Sequence, residues 1–484
     1  MMTAQAATET GRGRSRPRDC LLLLFVLPSF VSCAVVRTWP YDNQPAQVPP
    51  RATHANYAIG DKENSDKTFV GLALSGGGSR AANFSAAVML ELKRRGILPR
   101  VDFISSVSGG SLPAAYYALE GYEYFSLGGR GKIAFEELEV KDRMGRNFQQ
   151  RWVLSWFNPL HILRYWFTDF TRSDIMVPVF DSNLFHGATF ADLKEDRPKL
   201  LINATDAGAY DRFTFSDESA AKIQSDLAAF GIARAVNISS AFPGAFQTIT
   251  VKNYKGGEET YRHLYDGGPA DNLGLDALAD VLWQAVCGGA REMRDVQQRS
   301  AQQSVRQQSI LKKGKCPVDG KPPQPITKLF PEGCLVISVD AAPWGEDRDR
   351  HRAEVRRWTD YIVDSNVVNA TDVMLFHNRR ATLEDFGIPK PKVDEHRFST
   401  FSFDDKNTFC RFWHIALRHI PADDDVGKKV HGIETSFNIE DNQQQALFDA
   451  AKRLVDEGFT TVQESREAQE EAMKALLSQL PGTR

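Results

Sequence analysis

Four short apolar-rich runs punctuate the chain: residues 69–74 (FVGLAL), 101–104 (VDFI), 199–204 (KLLINA) and 334–339 (CLVISV). None follows the strict in–out alternation of a half-exposed strand. Their composition suits strands covered on both faces, as in a parallel sheet. Helical spacing follows the first two. Residues 81–95 form an amphipathic pattern that Gly96 ends, and after residue 111 the pattern turns helical through Leu112, Ala115, Tyr116 and Leu119. Strands alternating with helices predict an α/β fold, three layers of α/β/α around a mainly parallel central sheet. Two stretches break the rhythm. Residues 148–190 are rich in aromatics (RWVLSWFNPLHILRYWFTDF), and residues 287–333 are polar and rich in Gln, Lys and Arg. No internal repeat is visible.

The N-terminus follows different rules. Arg12, Arg14, Arg16 and Arg18 precede the apolar run 21–27, and small residues lead to Cys33. That is the layout of a secretory signal, too short for a comfortable membrane span. Phe30-Val31-Ser32-Cys33 resembles a bacterial lipobox, in which the cysteine takes the lipid; Phe30 stands where that motif usually has Leu. Residues 1–33 are therefore expected to be a signal peptide with a lipobox-like end. The mature chain would be an exported lipoprotein of a bacterial envelope, held at the membrane surface through Cys33. The alternative is a soluble secreted protein cut near Ser32 or Ala34. Residues 34–67, polar and proline-bearing, read as a tether.

Composition narrows the picture modestly. The chain has 484 residues and a formal net charge of −3, so no basic field points to nucleic acid. Cys287, Cys316, Cys334 and Cys410 remain after the leader and Cys33. They form no CxxC pair, and Cys410 with His414 lacks a second ligand pair, so no metal is expected. Cys316 and Cys334 flank a Pro/Lys-rich loop and are the expected disulfide; four free thiols are the alternative.

The candidate chemistry sits in the turns. Ser75-Gly76-Gly77-Gly78-Ser79-Arg80 joins the first strand to a helix N-terminus, where free N–H groups and the helix dipole favour an anion. A P-loop sequence is absent. Gly76-x-Gly78-x-x-Ala81 matches a dinucleotide fingerprint formally, but the second strand ends in serines instead of the acid that would hold a ribose. The remaining use is an oxyanion hole. Ser106-x-Ser108-x-Gly110, on the second strand–turn–helix, is a variant of G-x-S-x-G, the nucleophile elbow. Ser108 is its apex. A third turn, Asp266-Gly267-Gly268, offers a carboxylate, or only a hydrogen-bonding turn residue.

Taken in order, GGGxR, SxSxG and DGG resemble the patatin-like phospholipase family. "AVNISSAFPGAF" (235–246) and the closing "GIETSFNI" with its following helix resemble it too, so the likeness spans residues 68 to about 458. Ser75, Ala81 and Ser106 depart from the usual residues. The polar residues 466–484 read as a further helix or tail; the resemblance implies a catalytic domain over 68–465. It implies a lipid acyl hydrolase, of phospholipase A or lysophospholipase type, that uses no cofactor and acts on phospholipids or other acyl-ester lipids. Ser108 would be the nucleophile and Asp266 its base, a dyad without histidine. The oxyanion hole would come from Gly76, Gly77, Gly78, Ser79 and Arg80. Arg80 would add positive charge or pair on the surface. A carboxylate serves as base only in a dry site that raises its pKa. Three alternatives stand: a Ser–His–Asp esterase or thioesterase, a catalytically silent envelope scaffold of the same fold, and a nucleotide-binding protein. Trp152, Trp156, Phe157, Leu160, Leu163, Trp166, Phe167 and Phe170 would line an acyl cleft, touch a membrane, or pack a helix pair of their own.

Overall fold

The computed structural model describes residues 43–46, 67–126, 129–256, 260–287, 316, 323–343, 365–389, 396–403 and 410–464. The leader with Cys33, nearly all of the tether, most of the polar excursion and the 466–484 tail lie outside the described residues.

The centre is a nine-stranded sheet. Its strands are β1 (Thr68–Leu74), β2 (Phe103–Val107), β5 (Lys199–Asp206), β6 (Asp211–Phe215), β7 (Ile249–Asn253), β8 (Thr260–Asp266), β9 (Gly333–Asp340), β10 (Phe398–Phe401) and β11 (Cys410–Ala416). A separate hairpin pairs β3 (Glu123–Ser126) with β4 (Gly129–Lys132). The sheet order is β10-β11-β9-β1-β2-β5-β8-β7, with β6 also on β5. The five middle strands, β11 to β5, are parallel. Antiparallel pairs close both sides.

Side-chain alternation along these strands builds two cores. Val70, Leu72, Ile104, Ile202 and Ile337 face one way, against α1 (Gly78–Arg94), α2 (Ser111–Ala118), α5 (Ile232–Ser239) and α8 (Asp441–Glu464). Phe69, Ala73, Phe103, Leu201 and Val336 face the other, against α6 (Leu275–Val286) and the end of α7 (Ser365–Asp385). The outcome is the expected three-layer α/β/α arrangement with a mainly parallel centre. Among the described residues, no helix is long and apolar enough to cross a membrane.

Three local expectations are corrected. The first helix begins at Gly78, not at residue 81, because the glycine turn itself winds into it. The second strand runs to Val107, not to residue 104. Ser105 and Ser106 stay in the strand although buried, since Asn203 Nδ2 donates to Ser105 Oγ (2.8 Å) and Ser106 Oγ donates to Leu201 O (3.2 Å). The disulfides join Cys287 to Cys316 and Cys334 to Cys410, not Cys316 to Cys334. The reason is strand register: Leu335 of β9 lies beside Arg411 of β11, which brings the preceding cysteines of these parallel neighbours together.

The aromatic stretch is likewise divided. It forms α3 (Phe148–Ser155) and α4 (Pro159–Phe167) before the chain returns to the core. Trp152 and Phe170 are buried and Trp156 is partly so, whereas Phe157, Leu160, Leu163, Trp166 and Phe167 are exposed. The eight residues therefore neither line one cleft nor pack a core of their own.

Peptide mapping of the unreduced protein checks the disulfides. Linked peptides carrying Cys287 with Cys316 and Cys334 with Cys410 are expected; a Cys316–Cys334 peptide would contradict the register argument.

Candidate active site

Three turns meet at the C-terminal end of the parallel strands, where α/β sheets open their ligand crevices. The first follows β1. Gly77 has φ 134° and Gly78 has φ 59°, values that L side chains rarely adopt. A Cβ on Gly78 would stand 2.3 Å from Ser436 O. The turn is pinned by its neighbours. Ser75 N–H donates to Val339 O (3.0 Å), and Ser75 Oγ accepts from Ala341 N–H (2.9 Å). Gly76 N–H donates to Asn272 O (3.1 Å) and Ser79 N–H to Ser436 O (2.7 Å). The N–H groups of Gly77 and Gly78 have no hydrogen-bond partner among the described residues. They stand at the positive end of the 17-residue helix α1.

Two of the five residues expected at an oxyanion hole thus have their backbone N–H groups engaged. Gly76 and Ser79 have committed their N–H groups to carbonyls, which leaves Gly77 and Gly78. Nor is Arg80 a surface ion pair. It is buried, its Nε donates to Ala341 O (2.8 Å) and its Nη1 to Ile433 O (2.7 Å). The guanidinium clamps the glycine turn to the segment after β9 and to the loop before α8.

The second turn carries Ser108, directly after β2. Ser108 has φ +50°, a left-handed conformation that a non-glycine residue holds only where the surroundings impose it. Its N–H donates to Ser239 Oγ (2.9 Å) and Ser239 Oγ donates to Asn203 O (2.6 Å). Asn203 Nδ2 also reaches Ser106 O (3.1 Å), and Ser111 Oγ lies 3.3 Å from Ser239 Oγ. Small hydroxyls and one amide thus stitch the elbow to β5 and α5. Gly109 packs on the first turn so closely that a Cβ there would lie 2.0 Å from Gly78 O. Gly110 is as tight, with Ser75 O 2.6 Å from the corresponding position. Ser106 stands in the strand as a small buried residue. Ser108 itself is 6% exposed.

The third turn ends β8. Asp266, 4% exposed, is anchored through its backbone: its N–H donates to Ala241 O (3.1 Å) and its carbonyl accepts from Thr205 Oγ1 (2.7 Å). Gly268 N–H donates to Asp266 Oδ1 (2.8 Å), while Oδ2 is buried without a hydrogen-bond partner. Gly267 packs on β5, with Asn203 O 2.3 Å from where its Cβ would be. Burial pushes the Asp266 carboxyl up to about 6, with the Gly268 N–H and the Ser108 hydroxyl pulling the other way. The serine is thus near enough to influence the acid, although Oδ2 makes no hydrogen bond among the described residues.

Ser108, Asp266 and the free N–H groups of Gly77 and Gly78 therefore share one corner of the sheet. A serine oxygen, a buried high-pKa carboxylate and backbone N–H donors are the kinds of group acyl transfer requires. Neither Ser108 nor Asp266 bonds to a histidine among the described residues. His263 is exposed and bonds Thr250. His414 is buried, and burial lowers it to about 3 despite nearby Asp340. Among the described residues no group of three or more His, Cys, Asp or Glu side chains is placed to hold a metal ion. The supporting residues Ser239, Asn203, Asn272 and Ser436 were not foreseen. The only signal lay in the small-residue run "NISSAF", which contains Ser239.

Comparison with known proteins gives the following. Residues 72–279 match the family model for patatin-like phospholipase, a span that holds all three turns. No curated protein matches the chain significantly in sequence. Among solved structures, human GIVD cytosolic phospholipase A2 is similar at 11% identity and a TM-score of 0.45, over 88% of this chain and 62% of that one. The same human enzyme in complex with methyl gamma-linolenyl fluorophosphonate gives 12% and 0.41, over 87% and 61%. VipD from Legionella pneumophila gives 12% and 0.30, over 81% and 67%. The chain thus spans about three fifths of the human chains it matches.

The raised pKa of Asp266 has a stability consequence. In the unfolded chain the group ionises at its ordinary value of 3.8; in the fold it resists ionising until about 6. Stability is therefore full at low pH and falls as pH rises through that window. Asp266→Asn removes the penalty. Urea unfolding of both proteins at pH 4.5 and pH 8 should show the variant gaining on the wild type by on the order of 2 kcal/mol between the two pH values. An advantage that does not grow with pH would mean that the carboxylate is not desolvated.

Proposed function

With a patatin-like phospholipase domain at residues 72–279 as premise, we propose that the protein is a serine acyl hydrolase of the Ser–Asp dyad type, cleaving acyl esters of phospholipids or related lipids. The family match supports lipid ester hydrolysis in general. The observation that carries the dyad is Asp266: a buried carboxylate beside the strained Ser108, with one oxygen unpartnered and a pKa pushed to about 6.

In this reading the Ser108 hydroxyl gives its proton to Asp266 Oδ2 as Oγ attacks the acyl carbonyl carbon. The carbonyl oxygen becomes an oxyanion, received by the N–H groups of Gly77 and Gly78. Asp266 then passes the proton to the departing alkoxide, and the C–O bond of the ester breaks to leave an acyl-serine. A water molecule repeats the sequence, giving its proton to Asp266 and releasing the fatty acid and free Ser108. Burial raises the pKa and so makes the carboxylate a stronger base for this exchange, while Oδ1 is held by the Gly268 N–H and Oδ2 is left without a partner among the described residues. The left-handed Ser108 backbone keeps Oγ at the turn apex without competing side chains, since Gly109 and Gly110 flank it.

Hydrolysis of a panel of acyl esters tests the reading. Ser108→Ala should fall to background while the protein stays folded, and Asp266→Asn should lose at least about 10²-fold, the scale of general-base assistance. The wild-type kcat/KM should rise with pH around a midpoint near 6, where the acid ionises. Activity retained by Ser108→Ala, or a histidine variant as silent as Asp266→Asn, would overturn it.

A further inference from the structure

Helix α4 leaves its apolar side chains uncovered. No residue of Pro159–Phe167 is buried, although six of its nine residues are large and apolar or aromatic. Together with the end of α3 it exposes Leu154, Phe157, Leu160, Leu163, Trp166 and Phe167, with Phe157 at 73% and Trp166 at 71%. Soluble proteins rarely leave so continuous an apolar surface uncovered without a use for it. The helix is specified locally all the same. Asn158 Oδ1 accepts from Leu160 N–H (3.0 Å), Pro159 occupies the first turn, and Thr168 Oγ1 donates to Arg164 O (2.7 Å) at the other end.

Its charges restrict what can cover it. From Phe148 to Thr168 the basic side chains are Arg151, His161 and Arg164, with no Asp or Glu among them; the exposed Asp169 follows directly. A second copy placed face to face would bring the arginines of both chains together. A layer of anionic phosphate headgroups over acyl chains would complement both the cations and the apolar body, and Trp and Tyr suit such an interface with their amphipathic rings. Exposure around the whole helix, instead of along one stripe, also fits immersion in a headgroup layer better than a groove in a protein partner.

The root of this hairpin rests on the segment that also holds the glycine turn. Gln149 N–H donates to Phe437 O (3.0 Å), and the neighbouring Ser436 O receives Ser79 N–H (2.7 Å). Trp152 packs on Phe246 (4.7 Å between ring centroids), and Phe246 on Phe437 (5.7 Å). The start of α3 and the glycine turn are thus held by adjacent residues, Phe437 and Ser436, of one supporting segment.

We propose that α4 and the end of α3 dock the protein on the surface of a phospholipid bilayer carrying anionic headgroups. The purpose of docking, delivery of lipid to Ser108, rests on the hydrolase reading above; the docking surface does not.

Vesicle flotation tests it, with vesicles of phosphatidylcholine containing phosphatidylglycerol. Full-length protein carrying Cys33→Ser and Ser108→Ala excludes both a lipid on Cys33 and hydrolysis of the vesicles. Adding Phe157→Ser, Leu163→Ser and Trp166→Ser should weaken binding at least about tenfold. These side chains are exposed, so the fold should survive. In the Ser108 protein the same three changes should leave hydrolysis of a water-soluble short-chain ester unchanged and depress hydrolysis of vesicle lipid. Unchanged flotation would overturn the proposal. So would light scattering that shows the three changes dissociating an oligomer, which would assign the face to a second copy. Weakened flotation without any esterase activity in the wild type would uphold docking and sink the hydrolase reading.

Discussion

The site depends on one steric constraint: two backbone turns, at the ends of neighbouring parallel strands, touch with no side chain between them. Gly109 lies on Gly78 so closely that a methyl group would overlap Gly78 O, and Gly78 lies equally close to Ser436 O. Three stretches far apart in sequence are thereby held at backbone contact distance. Two consequences follow. The glycine turn and the Ser108 turn are held together by main-chain packing of Gly109 on Gly78, the stiffest kind available. Ser108 is in turn forced to φ +50°, since the chain must turn within the space that Gly109 and Gly110 leave. Electrostatic preorganisation needs such rigidity, because donors that reorient during reaction give back what they stabilise.

Around this contact the protein separates two kinds of buried acid. Asp266 has backbone anchors and one N–H on Oδ1, but no cation beside it among the described residues, so burial raises it to about 6. At the end of β9, Asp340 is just as buried, yet the Arg379 guanidinium and nearby His414 outweigh burial and hold it at about 2. One carboxylate is thereby left able to exchange a proton near neutrality, while the other is a fixed charge tying α7 to the sheet. Divergent environments for chemically identical groups are a mark of acid–base sites.

Much of this was legible in the sequence, and the failures have physical causes. The runs at 69–74, 199–204 and 334–339 became strands with nearly those bounds, because strands covered on both faces must be apolar throughout. Ser108, Asp266 and the glycine turn stood out because each turn needs small residues at fixed offsets from a strand. The extension of β2 through Ser105 and Ser106 was hidden, since its polar groups are satisfied by Asn203 and Leu201, more than 90 positions away. The commitment of the Gly76 and Ser79 N–H groups was hidden for the same reason: Asn272 and Ser436 are distant partners. Disulfide pairing followed strand register, which local loop composition does not encode. The aromatic stretch showed its unusual content but not its exposure, because burial is decided by what lies opposite.

The central claim is that Ser108 is the reacting oxygen of this corner. The most direct measurement is covalent labelling of the intact protein with an organophosphonate acyl-ester mimic, followed by mass spectrometry of the modified peptide. The account predicts one stoichiometric adduct, on Ser108, that forms faster as pH rises through about 6 with the ionisation of Asp266. An adduct on Ser105, Ser106, Ser111 or a serine elsewhere, or labelling of Ser108 indifferent to pH across that range, would contradict it.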